Sequence, residues 1–131
     1  MFHSDWKTCL IDINRDSEFA GDDVDQYSKL VDLGRAFEKL VIIVPTIDSA
    51  AITVYVQRSP GTDQVPVAVH HGYMYDASGA GNAWTTAAWT TTAGTGGFSI
   101  TCNIDGHQFV RIRAGANQAA DRTFYLRGVR S

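Results

Sequence analysis

The residues best suited to chemistry are clustered carboxylates, and they lie in one short stretch near the start of the chain. Asp22, Asp23 and Asp25 fall within NRDSEFAGDDVDQ. Carboxylate oxygens are the hard ligands that Ca²⁺ prefers, but this stretch lacks the spacing and the closing bidentate glutamate of an EF-hand. We therefore interpret it as a solvated acidic loop and expect no metal site there.

Histidine offers metal binding or acid–base chemistry as a second possibility. His70 and His71 are adjacent in a predicted strand, so their rings point to opposite faces of the sheet and cannot easily share one metal ion. His3 and His107 have no companion at ligand spacing. We expect one partly buried, hydrogen-bonded histidine and one exposed histidine at 70–71.

Motifs of catalysis and of cofactor binding are also missing from the sequence. There is no G-x-S-x-G nucleophile elbow and no Walker A loop. The glycine-rich stretch at 79–81 follows a plausible strand, but no helix pattern opens after it, so a phosphate cradle is not expected. The sequence thus predicts a protein that is not an enzyme and needs no cofactor.

Aromatic and arginine side chains are the better candidates for function, as parts of a contact surface. Exposed aromatic residues anchor protein interfaces or stack on sugars, whereas buried ones close the ends of a β-fold. Both interpretations stay open for the aromatic residues. The candidate interface residues are Phe2, Trp6, Trp84, Trp89, Arg111, Arg113 and Arg127.

Strands must position these candidates, because apolar and polar residues alternate with a period of two through much of the chain. Strands are predicted at about 7–13, 27–33, 37–45, 51–58 and from 65 towards 75, followed by three more between 96 and 131. Apolar rows in the last third are Ile100, Cys102, Ile104; Val110, Ile112, Ala114; and Phe124, Leu126. The pattern predicts an all-β fold, an antiparallel, jelly-roll-like β-sandwich of about eight strands.

Several features refine this prediction. The segment 37–45 has an unbroken apolar centre, so we expect a central strand covered on both faces. Cys9 and Cys102 fall on apolar rows, which favours two reduced core thiols over a disulfide. The length suits a single domain, 1–131, with residues 1–26 as a possible N-terminal arm and 76–97 as a long contact loop.

Charge is distributed unevenly along the chain. Residues 1–40 carry nine acids against five bases, whereas residues 106–131 carry five arginines against one acid. These two regions could attract each other within the fold or between copies. The net charge of −3 argues against a nucleic-acid partner. The apolar run 40–45 is too short to span a membrane, and MFHSDWK lacks the core of a signal peptide, so we expect cytoplasmic synthesis.

Two segments resemble structural proteins of tailed bacteriophage virions. One is LGRAFEKLVIIVPTIDSAAITVYV, at 33–56. The other runs from 96 to 129 and joins GGFSITCNIDG to HQFVRIRAGANQAADRTFYLRGV, with a Phe-x-Arg-x-Arg strand and a terminal strand ending near RG. Together they cover about half the chain and are similar to capsid decoration, or cement, proteins.

The resemblance implies a non-enzymatic protein on the virion capsid surface. Such a protein binds the lattice of the major capsid protein, stabilises the head, and forms a homotrimer. Alternatives are a tail, baseplate or head–tail adaptor subunit, and a carbohydrate-binding β-sandwich module. The acidic arm and the Trp84–Trp89 loop are expected to reach partners, while the arginine face pairs with acids of the same or a neighbouring copy.

Overall fold

The computed structural model describes residues 2–61, 64–69, 74–75, 83–84, 90–91 and 94–130, and none of these residues is helical. Every strand pairing among them is antiparallel, so the predicted all-β, antiparallel class is confirmed. The strands are β1 (Phe2–His3), β2 (Lys7–Ile11), β3 (Val31–Val44), β4 (Ile52–Gln57), β5 (Val67–Ala68), β6 (Met74–Tyr75), β7 (Ala83–Trp84), β8 (Phe98–Ala114) and β9 (Arg122–Arg130).

Seven of these strands form one sheet, in the order β1-β9-β3-β8-β4-β5, with β2 also paired to β9. The strands β6 and β7 pair separately with each other. Residues 2–11, within the predicted N-terminal arm, therefore lie along β9 as β1 and β2. The centre of the sheet is the long β3–β8 pair, whose register runs from Val44↔Phe98 to Val31↔Val110.

The strands predicted at 27–33 and 37–45 are largely one continuous strand, β3, and β8 likewise unites two predicted strands. Register shifts occur between Asp32 and Phe37 and between Phe37 and Lys39. Gly34 and Gly106 have φ values of +89° and +91° there, a conformation that costs glycine little. The irregularity looked like a strand boundary in the sequence because a bulge interrupts the period of two without ending the pairing.

One hydrophobic core joins the two ends of the sheet. The predicted apolar rows face it: most of their side chains are buried, while Ile100 is partly buried and packs against the rest. A backbone hydrogen bond of 2.8 Å, donated by Lys29 N to Leu10 O, connects the edge of β2 to the segment preceding β3. Buried members of the core include Cys9, Ile11, Leu40, Ile42, Val54, Ile112, Phe124 and Leu126.

The expectation that segment 37–45 is covered on both faces is wrong for one face. Leu40, Ile42 and Val44 are fully buried, but Val41 and Ile43 between them are only partly buried. The strand is central in the sheet, as expected, because β9 and β8 flank it. Lateral pairing satisfies its backbone without covering its outer face, so its outward-facing apolar side chains stay accessible.

Candidate contact surfaces

Arg111 is a buried structural residue, with only 2% of its surface exposed. Its Nε donates to Gln57 Oε1 at 3.1 Å, and its Nη1 donates to Ser28 O at 3.1 Å and to Glu18 Oε1 at 3.2 Å. The guanidinium carbon also lies 4.9 Å from the centre of the Phe19 ring. Its Nε and Nη1 donors are thus used within the chain, and the side chain is buried, so Arg111 offers no free surface to a partner.

Arg113, like Arg111, bonds to a glutamine and stacks on an aromatic ring, but it lies closer to solvent. Its Nη2 and Nε donate to Gln26 Oε1 at 2.9 and 3.1 Å, and its guanidinium stacks 4.9 Å from the Tyr27 ring centre. Asp23 lies 4.0 Å away, with 64% of its side chain exposed. Tyr27 packs edge-on against Phe19 and Tyr55, so aromatic rings join the arginines into one cluster.

The acidic stretch predicted from the sequence is attached to the sheet by this cluster. Asp22 accepts two hydrogen bonds from Arg15, one of them 2.7 Å long, and also accepts the Glu18 N–H at 2.9 Å. Ser28 N donates to Ile112 O at 2.8 Å, which joins the end of the stretch to β8. Attraction between the acidic and basic regions therefore occurs within the chain at these pairs.

Arg127 belongs to a different surface, on the outer face of β9. Its guanidinium lies 4.4 Å from the centre of the Trp6 ring, a cation–π stack in which the tryptophan remains 42% exposed. Tyr125, two residues along the same face, is 41% exposed. Arg127 Nε is shielded from solvent and has no acceptor among the residues that the structure describes.

The register extends this surface across to β3. Val41 is the cross-strand neighbour of Arg127, and Ile43 is the neighbour of Tyr125. We call the set Trp6, Val41, Ile43, Tyr125 and Arg127 the tryptophan face. The outward-facing residues next to it on the same strands and on β8 are polar, apolar or basic: Thr8, Leu10, Lys39, Ser99, Thr101, Asn103 and Val129.

An apolar, aromatic surface inside a polar rim is the pattern of a protein contact site. Val41, Ile43 and Tyr125 were missing from the candidates chosen by sequence. The apolar row of Phe124 and Leu126 was the available signal for Tyr125, because a residue between two inward-facing residues of a strand faces outward.

Phe2 lies on the other side of this edge, because it pairs with Arg130 and shares a face with Gly128 rather than with Arg127. It is 64% exposed. With Leu33 and Phe37 it lines a groove of about 360 Å³, whose charged rim comprises Asp5, Lys7 and Arg35. The N-terminal residues thus present two surfaces, the groove on one side and the tryptophan face on the other.

Some candidate residues and segments lie wholly or partly outside the residues that the structure describes. Trp84 lies in β7, where it pairs with Met74. Trp89, His70, His71 and the stretch 79–81 lie outside the described residues, as does most of the predicted contact loop 76–97.

Both cysteines are free and buried, and burial raises the pKa of each thiol to about 12. Among the described residues, no three His, Cys, Asp or Glu side chains are grouped to hold a metal ion. That same part of the chain contains no helix long and apolar enough to cross a membrane.

Comparisons with protein-family models, with curated proteins and with solved structures give no match to this chain.

Proposed function

We propose that the chain is a non-enzymatic structural protein of a tailed-phage virion, a decoration protein that binds the major capsid protein lattice and stabilises the head. The observation that carries the proposal is the concentration of exposed aromatic residues at the β1–β2–β9 edge. Phe2, Trp6 and Tyr125 are each more than two-fifths exposed there. The resemblance of segments 33–56 and 96–129 to virion proteins supplies the particular partner.

Exposed aromatic side chains support a binding role because they are unfavourable in water and favourable at interfaces. Tryptophan, tyrosine and arginine dominate the energetic centres of protein contacts, and Trp6, Tyr125 and Arg127 bring all three types together. Other arginines, such as Arg111 and Arg122, donate hydrogen bonds to acceptors within the chain. The stacked Trp6–Arg127 pair is preorganised, which lowers the entropy lost when a partner binds.

The proposal includes a two-layer, jelly-roll-like arrangement, with the sheet bent at the β3–β8 bulges. Side chains from both ends of the sheet belong to one core, which supports this arrangement. The hydrogen bond from Lys29 N to Leu10 O supports it as well. An experimental structure with the two halves packed about 10 Å apart would bear this out. An open, singly layered sheet would exclude it.

We assign the shell contact to the groove that contains Phe2. Its mixture of apolar and charged residues suits a protein partner, and an N-terminal arm on the sheet edge can reach a neighbouring subunit. The loop that contains Trp84 and Trp89 is proposed as a second contact, and the oligomer as a homotrimer. On the virion, the protein would lie outside the capsid after synthesis in the host cytoplasm.

Co-sedimentation with shells of the major capsid protein encoded alongside this chain tests the proposal. Wild-type protein should sediment with the shells and saturate at a fixed ratio to lattice sites. Phe2→Ala should weaken binding about tenfold or more, the loss expected of an aromatic contact residue. Val67→Ala is the matched control, since Val67 is 62% exposed but lies on β5 at the far end of the sheet. Saturable binding unaffected by Phe2→Ala would overturn the assignment of the groove, and no binding at all would overturn decoration.

Two alternatives give different results in the same preparation. A tail, baseplate or adaptor subunit would form rings of fixed stoichiometry without shells. A carbohydrate-binding module is favoured by the exposed Trp6 and Tyr125 rings, which could stack on sugars. It predicts glycan binding that is insensitive to salt and abolished by Trp6→Ala, and a glycan array with no hits would count against it.

A further inference from the structure

The tryptophan face carries positive charge that no carboxylate of the described chain neutralises. Arg127 and Lys39 form no ion pair within this part of the chain, and Arg127 Nε lacks an acceptor. An unpaired, partly desolvated guanidinium is costly, so a carboxylate or carbonyl supplied by a partner would stabilise it. The face therefore suits a partner that is apolar in part and acidic.

The chain itself presents a surface of the opposite charge. We call residues 12–25 the acidic loop; its six carboxylates are Asp12, Asp16, Glu18, Asp22, Asp23 and Asp25, and its one base is Arg15. Arg111, Arg113 and Lys29 pair with Glu18, Asp23 and Asp12 respectively. Asp16 and Asp25 form no ion pair with any described residue, so the loop retains excess negative charge at its surface.

The loop is held in place by its own chain. Phe19 packs under Arg111, and Gln118 N donates to Asp25 O at 2.9 Å. These contacts fix the loop beside the β8–β4 half of the sheet, whereas the tryptophan face lies on β9 and the end of β3 that pairs with it. Complementary charge on two separate, fixed surfaces of one chain is best satisfied between copies.

We propose that the tryptophan face binds the acidic loop of a second copy of this chain. The contact is heterologous, because the two surfaces differ, and a heterologous contact that closes produces a ring such as a trimer. Arg127 and Lys39 face the unpaired carboxylates of the neighbour, while Trp6 and Tyr125 supply the apolar part. The inference rests on the proposed function for the trimer. Self-association is measured without shells, so a failure to self-associate can be distinguished from a failure to bind the capsid.

Charge reversal tests the contact, with sedimentation equilibrium as the readout. Wild-type protein should self-associate, and association should weaken as salt rises. Arg127→Glu should weaken it about tenfold or more, and so should the double change Asp16→Lys with Asp25→Lys, because like charges then meet across the contact. Combining all three changes in one chain should restore association to within about threefold of wild type. Arg130→Glu is the matched control, since Arg130 is exposed on β9 but does not share the Arg127 face.

Urea denaturation measures the stability of every variant and so distinguishes a weakened contact between copies from a destabilised fold. Arg127→Gln, which is neutral and retains a planar group near Trp6, should give an intermediate loss in a chain of wild-type stability. A wild type that stays monomeric up to millimolar concentration overturns the proposal. Loss of association in Arg127→Glu that the loop reversal does not rescue overturns the acidic loop as the occupant and indicates another acidic partner, such as the capsid protein.

Discussion

Replacing Arg111 with alanine tests whether this arginine is a structural residue of the monomer. Removal of the guanidinium leaves two buried acceptors, Gln57 Oε1 and Ser28 O, without their donor. Each unsatisfied buried acceptor costs about 1–2 kcal/mol, and the lost stack on Phe19 adds about 0.5–1 kcal/mol. The side chain of Glu18 is 32% exposed and regains water, so its ion pair adds little. The expected loss of unfolding free energy is about 2.5–5 kcal/mol.

Urea unfolding followed by tryptophan fluorescence measures this loss, with the m-value as a check that the transition stays two-state. Arg113→Ala is the matched control. Its side chain is 34% exposed, so solvent replaces part of its hydrogen bonding and the expected loss is about 1 kcal/mol. Equal losses in the two variants, or a loss below about 1 kcal/mol for Arg111→Ala, would refute the reasoning, because burial would then not govern the cost.

Two further predictions concern the core. A Cβ at Gly128 would lie 2.3 Å from the Phe37 ring, whereas a Cβ at Gly115 would meet only ordinary contacts of 3.6 Å or more. Gly128→Ala should therefore destabilise the protein by about 1–3 kcal/mol in urea unfolding, and Gly115→Ala should not; equal effects would contradict the steric argument. Because the thiol pKa of Cys9 and Cys102 is about 12 in the folded state, neither should react with a thiol reagent at pH 8 until the chain unfolds. The same raised pKa leaves stability complete below about pH 9 and reduces it by about 1.4 kcal/mol per pH unit per thiol as pH rises towards 12. The double variant Cys9→Ala, Cys102→Ala should have a shallower alkaline slope, and an unchanged slope would exclude the thiols as its source.

Much of the strand content follows from the local pattern of residues. Alternation at 110–114 and 124–126 predicted which side chains face the core, and those predictions are confirmed. The two cysteines were correctly interpreted as buried thiols because they continue apolar rows. Local alternation is informative here because the two faces of a strand differ in solvent exposure, and each residue's type records its own exposure.

Pairing between distant segments could not be predicted in this way. Arg111 and Arg127 occupy equivalent outward positions in their strands, yet one is buried by residues 18–28 and the other stacks on Trp6 at the surface. Nothing in the residues near either arginine distinguishes the two cases. The continuity of β3 and β8 through their bulges was missed for the same reason, since hydrogen bonding to the opposite strand maintains it.

By itself, then, the sequence determined the all-β class, the core rows and the separation of acidic from basic regions, because these depend on residue type and spacing along one segment. Only the tertiary structure decided that β9 lies between β3 and the N-terminal strands, and this order places Val41 and Ile43 beside Arg127 and Tyr125. The tryptophan face consists of residues up to 121 positions apart, from Trp6 to Arg127. Its composition depends on strand order and register, which are set by the packing of the whole core.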